Sequence, residues 1–273
     1  MKTLTLETEP ASISGSREYN RVPQVTPDFW IVKILAVTVG ETAADFINSN
    51  LGLGLSTTSV IMSGLLIAAL VFQFAQRKYV PWIYWLTVVL VSVVGTLITD
   101  TMVDTFGISL VTSTAIFSGA LAATFAVWYA FEKTLSIHTI YTFRREAFYW
   151  LAILFTFALG TASGDLAAEQ LGMGYLSAGL MYSGLIAAIA AAWYFFKANG
   201  ILAFWLAYIF TRPMGAAYGD LLAQPKEYGG FGFGFTWTSV IFLVGILAVV
   251  VYMTVTHDGD EWSRSNSGAG KIA

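Results

Sequence analysis

The stretch at residues 30–45, WIVKILAVTVGETAAD, is matched by WLTVVLVSVVGTLITD at 85–100, WLAILFTFALGTASGD at 150–165 and WLAYIFTRPMGAAYGD at 205–220. In each, a tryptophan is followed ten residues later by a glycine (Gly40, Gly95, Gly160, Gly215) and five residues further on by an aspartate (Asp45, Asp100, Asp165, Asp220). Fixed spacing of this kind marks an internal repeat, one supersecondary unit used four times. The match runs on into a second apolar segment, where Ser63-Gly64, Ser118-Gly119 and Ser183-Gly184 stand 24 residues after the first glycine. The fourth repeat departs: its glycine, Gly245, follows Val244 and arrives six residues late, so residues 225–234 hold an insertion. Repeats one and two start 55 residues apart, as do three and four, whereas two and three are 65 apart. The chain thus divides into halves at 28–131 and 148–256, joined by a connection at 132–147.

With 56% hydrophobic and 11% charged residues in 273, the chain carries more apolar surface than a soluble core of that length can hide. Each repeat supplies two apolar runs of about 20 residues, enough to cross about 30 Å of hydrocarbon at 1.5 Å per residue. The expected fold is all-α, a polytopic membrane protein with transmembrane helices at 28–48, 57–75, 82–103, 110–131, 148–168, 176–196, 201–222 and 236–256. Soluble helices would need a polar face, and 180–196 has almost none. The polar ends, 1–27 and 257–273, are expected as solvated tails; the first lacks the apolar stretch of a signal peptide, and the second is rich in Gly and Ser. Loops on one side hold Arg77, Lys78, Lys133, Arg144, Arg145 and Lys197 and those on the other only Lys226, which places both termini in the cytoplasm. Two crossings per repeat keep all four repeats pointing the same way, so parallel repeats around an axis along the membrane normal are expected.

Over about residues 29–256 the sequence resembles a family of bacterial membrane proteins built from four tandem copies of a repeat of unknown function, with two transmembrane segments and a characteristic tryptophan per repeat. Trp30, Trp85, Trp150 and Trp205 are the tryptophans that carry it. The resemblance implies the architecture and no activity.

Several chemistries are excluded by composition. A net charge of -3 and scattered basic residues give no nucleic-acid signal, and the absence of cysteine removes disulfides and thiolate metal sites. His138 and His257 fall in loops or tails, which argues against a zinc site, and no nucleotide-binding motif occurs. No nucleophile and base pair points to an enzyme, and no cofactor is called for.

The intramembrane polar residues carry the functional reading. The tryptophans, at the start of the odd helices, are expected as interfacial anchors, and the glycines about 15 Å deeper as close-packing positions. An aspartate about 22 Å along each odd helix is costly facing lipid, so Asp45, Asp100, Asp165 and Asp220 should point into the bundle. There they either cap neighbouring helices or form a ring that binds a cation, including a metal, or shares protons. Glu41 lies one turn before Asp45 on the same face; Asp104 and Glu169 repeat that spacing after Asp100 and Asp165, nearer the surface. Lys33 is expected to snorkel to the cytoplasmic face, and Arg212, deeper, to pair with Glu41. Pro213 beside Gly215 and Gly219 is a site for a kink or break, and 229–234 reads as a mobile outer loop over a vestibule.

The resulting expectation is a secondary transporter in the bacterial inner membrane that exchanges a cation, a divalent metal among the candidates, for protons. Its site would be Asp45, Asp100, Asp165, Asp220, Glu41 and Arg212, and its partners lipid and the cation or proton itself. The alternative is a non-transporting scaffold, sensor or partner subunit with structural carboxylates, whose loop at 132–147 binds another protein.

Overall fold

A computed structural model describes residues 20–47 and 54–269, with side chains described to Thr256. The chain forms α1 (Pro27–Asp45), α2 (Leu55–Ala75), α3 (Pro81–Asp100), α4 (Leu110–Glu132), α5 (Phe143–Asp165), α6 (Tyr175–Phe196), α7 (Gly200–Ala223) and α8 (Gly234–Ala269), and no strand occurs among the described residues. Thr26, Ser109, Thr142 and Asn199 cap α1, α4, α5 and α7 through side-chain oxygens, and Pro27 and Pro81 sit where a helix needs no N–H. The cap draws α5 back to Phe143, into the segment expected as a loop. α7 runs through Pro213 without a break. Six helices, α2, α3, α4, α5, α6 and α8, are long and apolar enough to cross a membrane, the pattern of a multi-pass membrane protein.

The odd helices form an inner ring: α1 packs on α3, α3 on α5, α5 on α7, and α7 back on α1. Each even helix lies outside it against the next odd one, α2 on α3, α4 on α5, α6 on α7 and α8 on α1. The repeat glycines allow the ring to close. A Cβ on Gly40 would fall within Ser92, one on Gly160 within Arg212, one on Gly215 within Val37, and one on Gly95 would stand 2.8 Å from the Phe157 Cβ. Each glycine therefore receives the residue three positions before the glycine of the next repeat, the close approach that a missing side chain permits.

The outer helices behave differently. Val71, Phe131, Leu180 and Val244 leave much of their surface uncovered, as a lipid-facing residue does. Gly64, Gly119 and Gly184 have nothing within 4 Å of a built Cβ and face outward, unlike the glycines of the ring.

The tryptophans, expected as interfacial anchors, need correction. Trp85, Trp150 and Trp205 are buried, and their indole N–H groups donate inward to the Tyr79 hydroxyl, Glu146 and the Leu135 carbonyl. Trp85 and Trp205 thereby fix loops to the ring, and Trp150 bonds within α5 to the carboxylate that Arg21 also holds.

The part of the N-terminal tail that is described is docked. Asn20 bonds Ile137 and Ile140 in the 133–142 loop and accepts from the Tyr79 amide, while Arg21 pairs at 2.8 Å with the fully buried Glu146, which also accepts from Gln73 of α2. Residues 20–22 are thus a strap across this end of the bundle. Arg21→Ala strands a buried carboxylate and is expected to cost about 3 kcal/mol, much of it restored by adding Glu146→Gln; thermal unfolding of the two variants in detergent checks this.

The insertion at 225–234 is ordered. Phe231 and Phe233 donate backbone N–H groups to Leu221 and Leu222, and Gly229, Gly232 and Gly234 take left-handed φ values of 87°, 79° and 79° that other residues resist. It is pinned to the end of α7, in place of the mobile loop expected from its glycines.

Candidate functional site

Positions four apart on one helix face stack along the inside of the ring. Starting from the end that bears the basic loops, the first level is Phe29, Tyr84, Tyr149 and Phe204, in which the Tyr84 and Tyr149 hydroxyls meet at 2.5 Å. Next come Lys33, Val88, Ile153 and Tyr208, then Val37, Ser92, Phe157 and Arg212, all eight buried. The following level is Glu41, Thr96, Thr161 and Ala216, also buried, and the last is Asp45, Asp100, Asp165 and Asp220, of which only Asp220 is buried.

Arg212 ties two levels together. Its guanidinium pairs with Glu41 at 2.8 Å and donates to Thr161 at 2.9 Å, to Thr96, and to the Val37 carbonyl at 3.0 Å. Thr96 in turn donates to Glu41 at 3.2 Å. The expected Glu41 and Arg212 pair is therefore present, held by threonines at the position that Glu41 occupies in its own repeat. Aligning the repeats one residue past each glycine shows Thr96 and Thr161 as its counterparts, a signal present in the sequence.

Lys33 does not snorkel. It is fully buried, its Nζ donating to Thr211 at 3.2 Å and standing 4.1 Å from the centre of the Tyr208 ring and 4.5 Å from that of Phe157. A cation over aromatic faces is attracted to their negative centres, which keeps the amine inside.

Asp165 and Asp220 come together with Glu41: one carboxylate oxygen from each lies within 4.8 Å of the other two. Asp45 and Asp100 are outside that group of three, yet both feel the charges of Glu41 and Arg212, and Asp100 those of Asp45 and Asp104. The three-carboxylate group is thus Glu41, Asp165 and Asp220, not the four aspartates. Hard cations sit about 2.0–2.6 Å from each oxygen, so oxygens this far apart can share one ion, whereas transition metals that favour nitrogen or sulfur find no such ligand here.

Among the described residues, none of the four aspartate carboxylates accepts a hydrogen bond from the protein. Nor do they cap the next helix: α2 and α6 start at Gly54 and Gly174 with no side-chain cap, and α4 uses Ser109. In repeats one to three the aspartate is the last α-helical residue before a wider π turn, at 46–47, Thr101–Thr105 and Leu166–Gln170. Such turns recur at functional sites because they re-aim the residues around them. Beside Asp165 and Asp220, a 440 Å³ vestibule lined by Ala168, Glu169, Gly174, Tyr175, Gln224 and Tyr228 opens outward, and Tyr175 donates to Glu169 at 3.1 Å.

Compared with known families, the sequence matches the model of the Repeat of Unknown Function (DUF347) four times, at residues 29–79, 83–134, 148–199 and 203–258. The chain belongs to this family. Each match spans one odd helix and the even helix after it, so the DUF347 unit is the helix pair described above. No curated protein and no solved structure matches the chain.

Proposed function

We propose that this DUF347 protein is a secondary transporter of a cation, of the class of divalent metals that prefer oxygen ligands, coupled to protons. The observation that carries the reading is a charge imbalance: Glu41, Asp45, Asp100, Asp165 and Asp220 gather around one nearby cation, Arg212, with the buried Lys33 further along the ring, and among the described residues the aspartate carboxylates have no protein donors. Carboxylates removed from water need protons or a cation to balance them.

In this reading the substrate cation takes oxygens of Glu41, Asp165 and Asp220, and Asp45 and Asp100 supply the outer negative field. The arriving ion competes with Arg212 for Glu41; the guanidinium keeps Thr96, Thr161 and the Val37 carbonyl as partners when it lets go. Asp165 and Asp220, which hold protons while the site is empty, release them as the ion binds and take protons back as it leaves, whereas Glu41 stays a carboxylate paired with Arg212 or with the ion. Eight helices cross the membrane in this arrangement, α1 and α7 included, because their charged residues face the ring. In this reading the four repeats are related by a pseudo-fourfold axis along the membrane normal and both termini lie in the cytoplasm of a bacterial cell, an orientation that the excess of Lys and Arg in the loops on that side supports. With no nucleotide motif in the chain, an ion gradient drives movement.

Proteoliposomes carrying an internal metal indicator and a pH dye test this with Mn²⁺, Mg²⁺ and Ca²⁺. Metal entry with opposite proton movement is expected in the native protein, and Glu41→Gln, Asp165→Asn or Asp220→Asn is expected to lower it by roughly tenfold or more each. Native vesicles that pass none of the three ions, or folded variants with undiminished flux, would remove the reading.

A further inference from the structure

The two levels next to that of Glu41, toward the end with basic loops, hold no carboxylate, yet among the described residues they contain the positive charge of the ring's interior, Lys33 and Arg212. Arg212 has Glu41. Lys33 forms no ion pair among the described residues, and the charge it feels most closely is the like charge of Arg212. Its surroundings nevertheless suit an ammonium: two aromatic faces, Tyr208 at 4.1 Å and Phe157 at 4.5 Å, and the Thr211 hydroxyl oxygen at 3.2 Å. At the same level the fully buried Tyr208 hydroxyl has no protein partner, and neither has Ser92 one level on. Three helices build this box, α1 providing the amine, α5 Phe157, and α7 Tyr208 and Thr211.

We infer that Phe157, Tyr208 and Thr211 form a binding site for a primary ammonium group at the axis of the inner ring, filled by the protein's own Lys33, and that this tethered cation is the barrier that stops free cations from leaking past the carboxylates. The repeat alignment supports a single, placed charge: Val88, Ile153 and Tyr208 stand where Lys33 stands, so three of four positions close the level with bulk and one closes it with charge. A small ion that has reached Glu41 meets Arg212 and then Lys33 in line, and bulk without charge would exclude it less well, because fixed charges change local ion concentration by about tenfold or more. The ammonium site itself stands whether or not the protein moves divalent metals; the barrier role rests on the transport reading only in assuming that the axis is the path.

The test uses the full chain with Lys33→Ala and Lys33→Met. Alanine removes the four atoms that n-propylammonium replaces, whereas methionine keeps the space filled without the charge. Propylammonium is expected to raise the thermal midpoint of Lys33→Ala in detergent while leaving native protein and Lys33→Met unmoved. In vesicles, Lys33→Met is expected to raise passive K⁺ leak on the order of tenfold over native protein. Equal propylammonium shifts in all three proteins, or none in a folded Lys33→Ala, would overturn the site. Should Lys33→Ala fail to fold, a Lys33→Met as tight to K⁺ as the native protein overturns the barrier. Metal flux is not read in either assay, so a native protein that carries no divalent metal leaves both results interpretable.

Discussion

Arg212→Met is expected to be the most damaging single substitution in the chain, at about 3–5 kcal/mol. The guanidinium is fully buried and reaches Glu41, Thr96, Thr161 and the Val37 carbonyl, so one side chain serves α1, α3 and α5 from its seat on α7. Removing it leaves Glu41 buried beside Asp165 and Asp220 without its one direct counter-charge. Most of the loss comes from that stranded carboxylate, not from the bond itself, because a buried ion pair roughly breaks even against apolar packing. The double variant Arg212→Met with Glu41→Met is therefore expected to regain much of the midpoint seen in thermal unfolding, and to pass no metal. A double variant as unstable as the single one would show that the threonine contacts matter more than the charge. Arg212→Lys is expected to be only a partial remedy, since an ammonium cannot reproduce the planar fork that serves several acceptors at once.

Substituting glycines should separate ring from periphery by sign. Gly160→Ala places a methyl within the Arg212 side chain and Gly40→Ala within Ser92, and both neighbours are buried on the next helix of the ring. Overpacking of this kind costs about 1–3 kcal/mol, and the cost here is expected at the upper end because the collision lies between helices that must stay in contact. Gly119→Ala meets open space, loses nothing, and gains helix propensity worth up to about 1 kcal/mol. Thermal midpoints of the three single variants check the contrast. A Gly160→Ala protein as stable as the native one would mean that the ring has room to breathe at the Arg212 level.

Much of this fold was legible in the sequence because a period of one tryptophan, glycine and aspartate per unit survives any local ambiguity. Helix limits were readable within a few residues except in α5, where Thr142 as a cap moves the start from the apolar run into the loop, and in α8, which runs on to Ala269 through the stretch expected as a tail. The Glu41 and Arg212 pair was readable too, because opposite charges inside apolar helices have few places to go. The roles of the tryptophans and of Lys33 were not. An indole or an amine near a helix start reads as interfacial when depth is counted along one helix, and only the packing of α1 against α7 shows Lys33 turned toward Tyr208. Membership of the carboxylate triad was hidden for a related reason: four equivalent aspartates suggest a square, whereas Glu41, present in one repeat alone, meets only the aspartates of α5 and α7.

The cyclic order of contacts, α8 meeting α1 as α2 meets α3, has a bearing on how charge can be arranged. Were the same ring assembled from separate identical subunits, any residue would appear in every quarter, and a lysine at one axial level would face three copies of itself. Fusion of the quarters into a single polypeptide lifts that restriction. One acid, one guanidinium and one amine can then be installed singly, in a frame whose backbone still profits from repetition, and a directional gradient of charge becomes possible along an axis that symmetry alone would have left uniform.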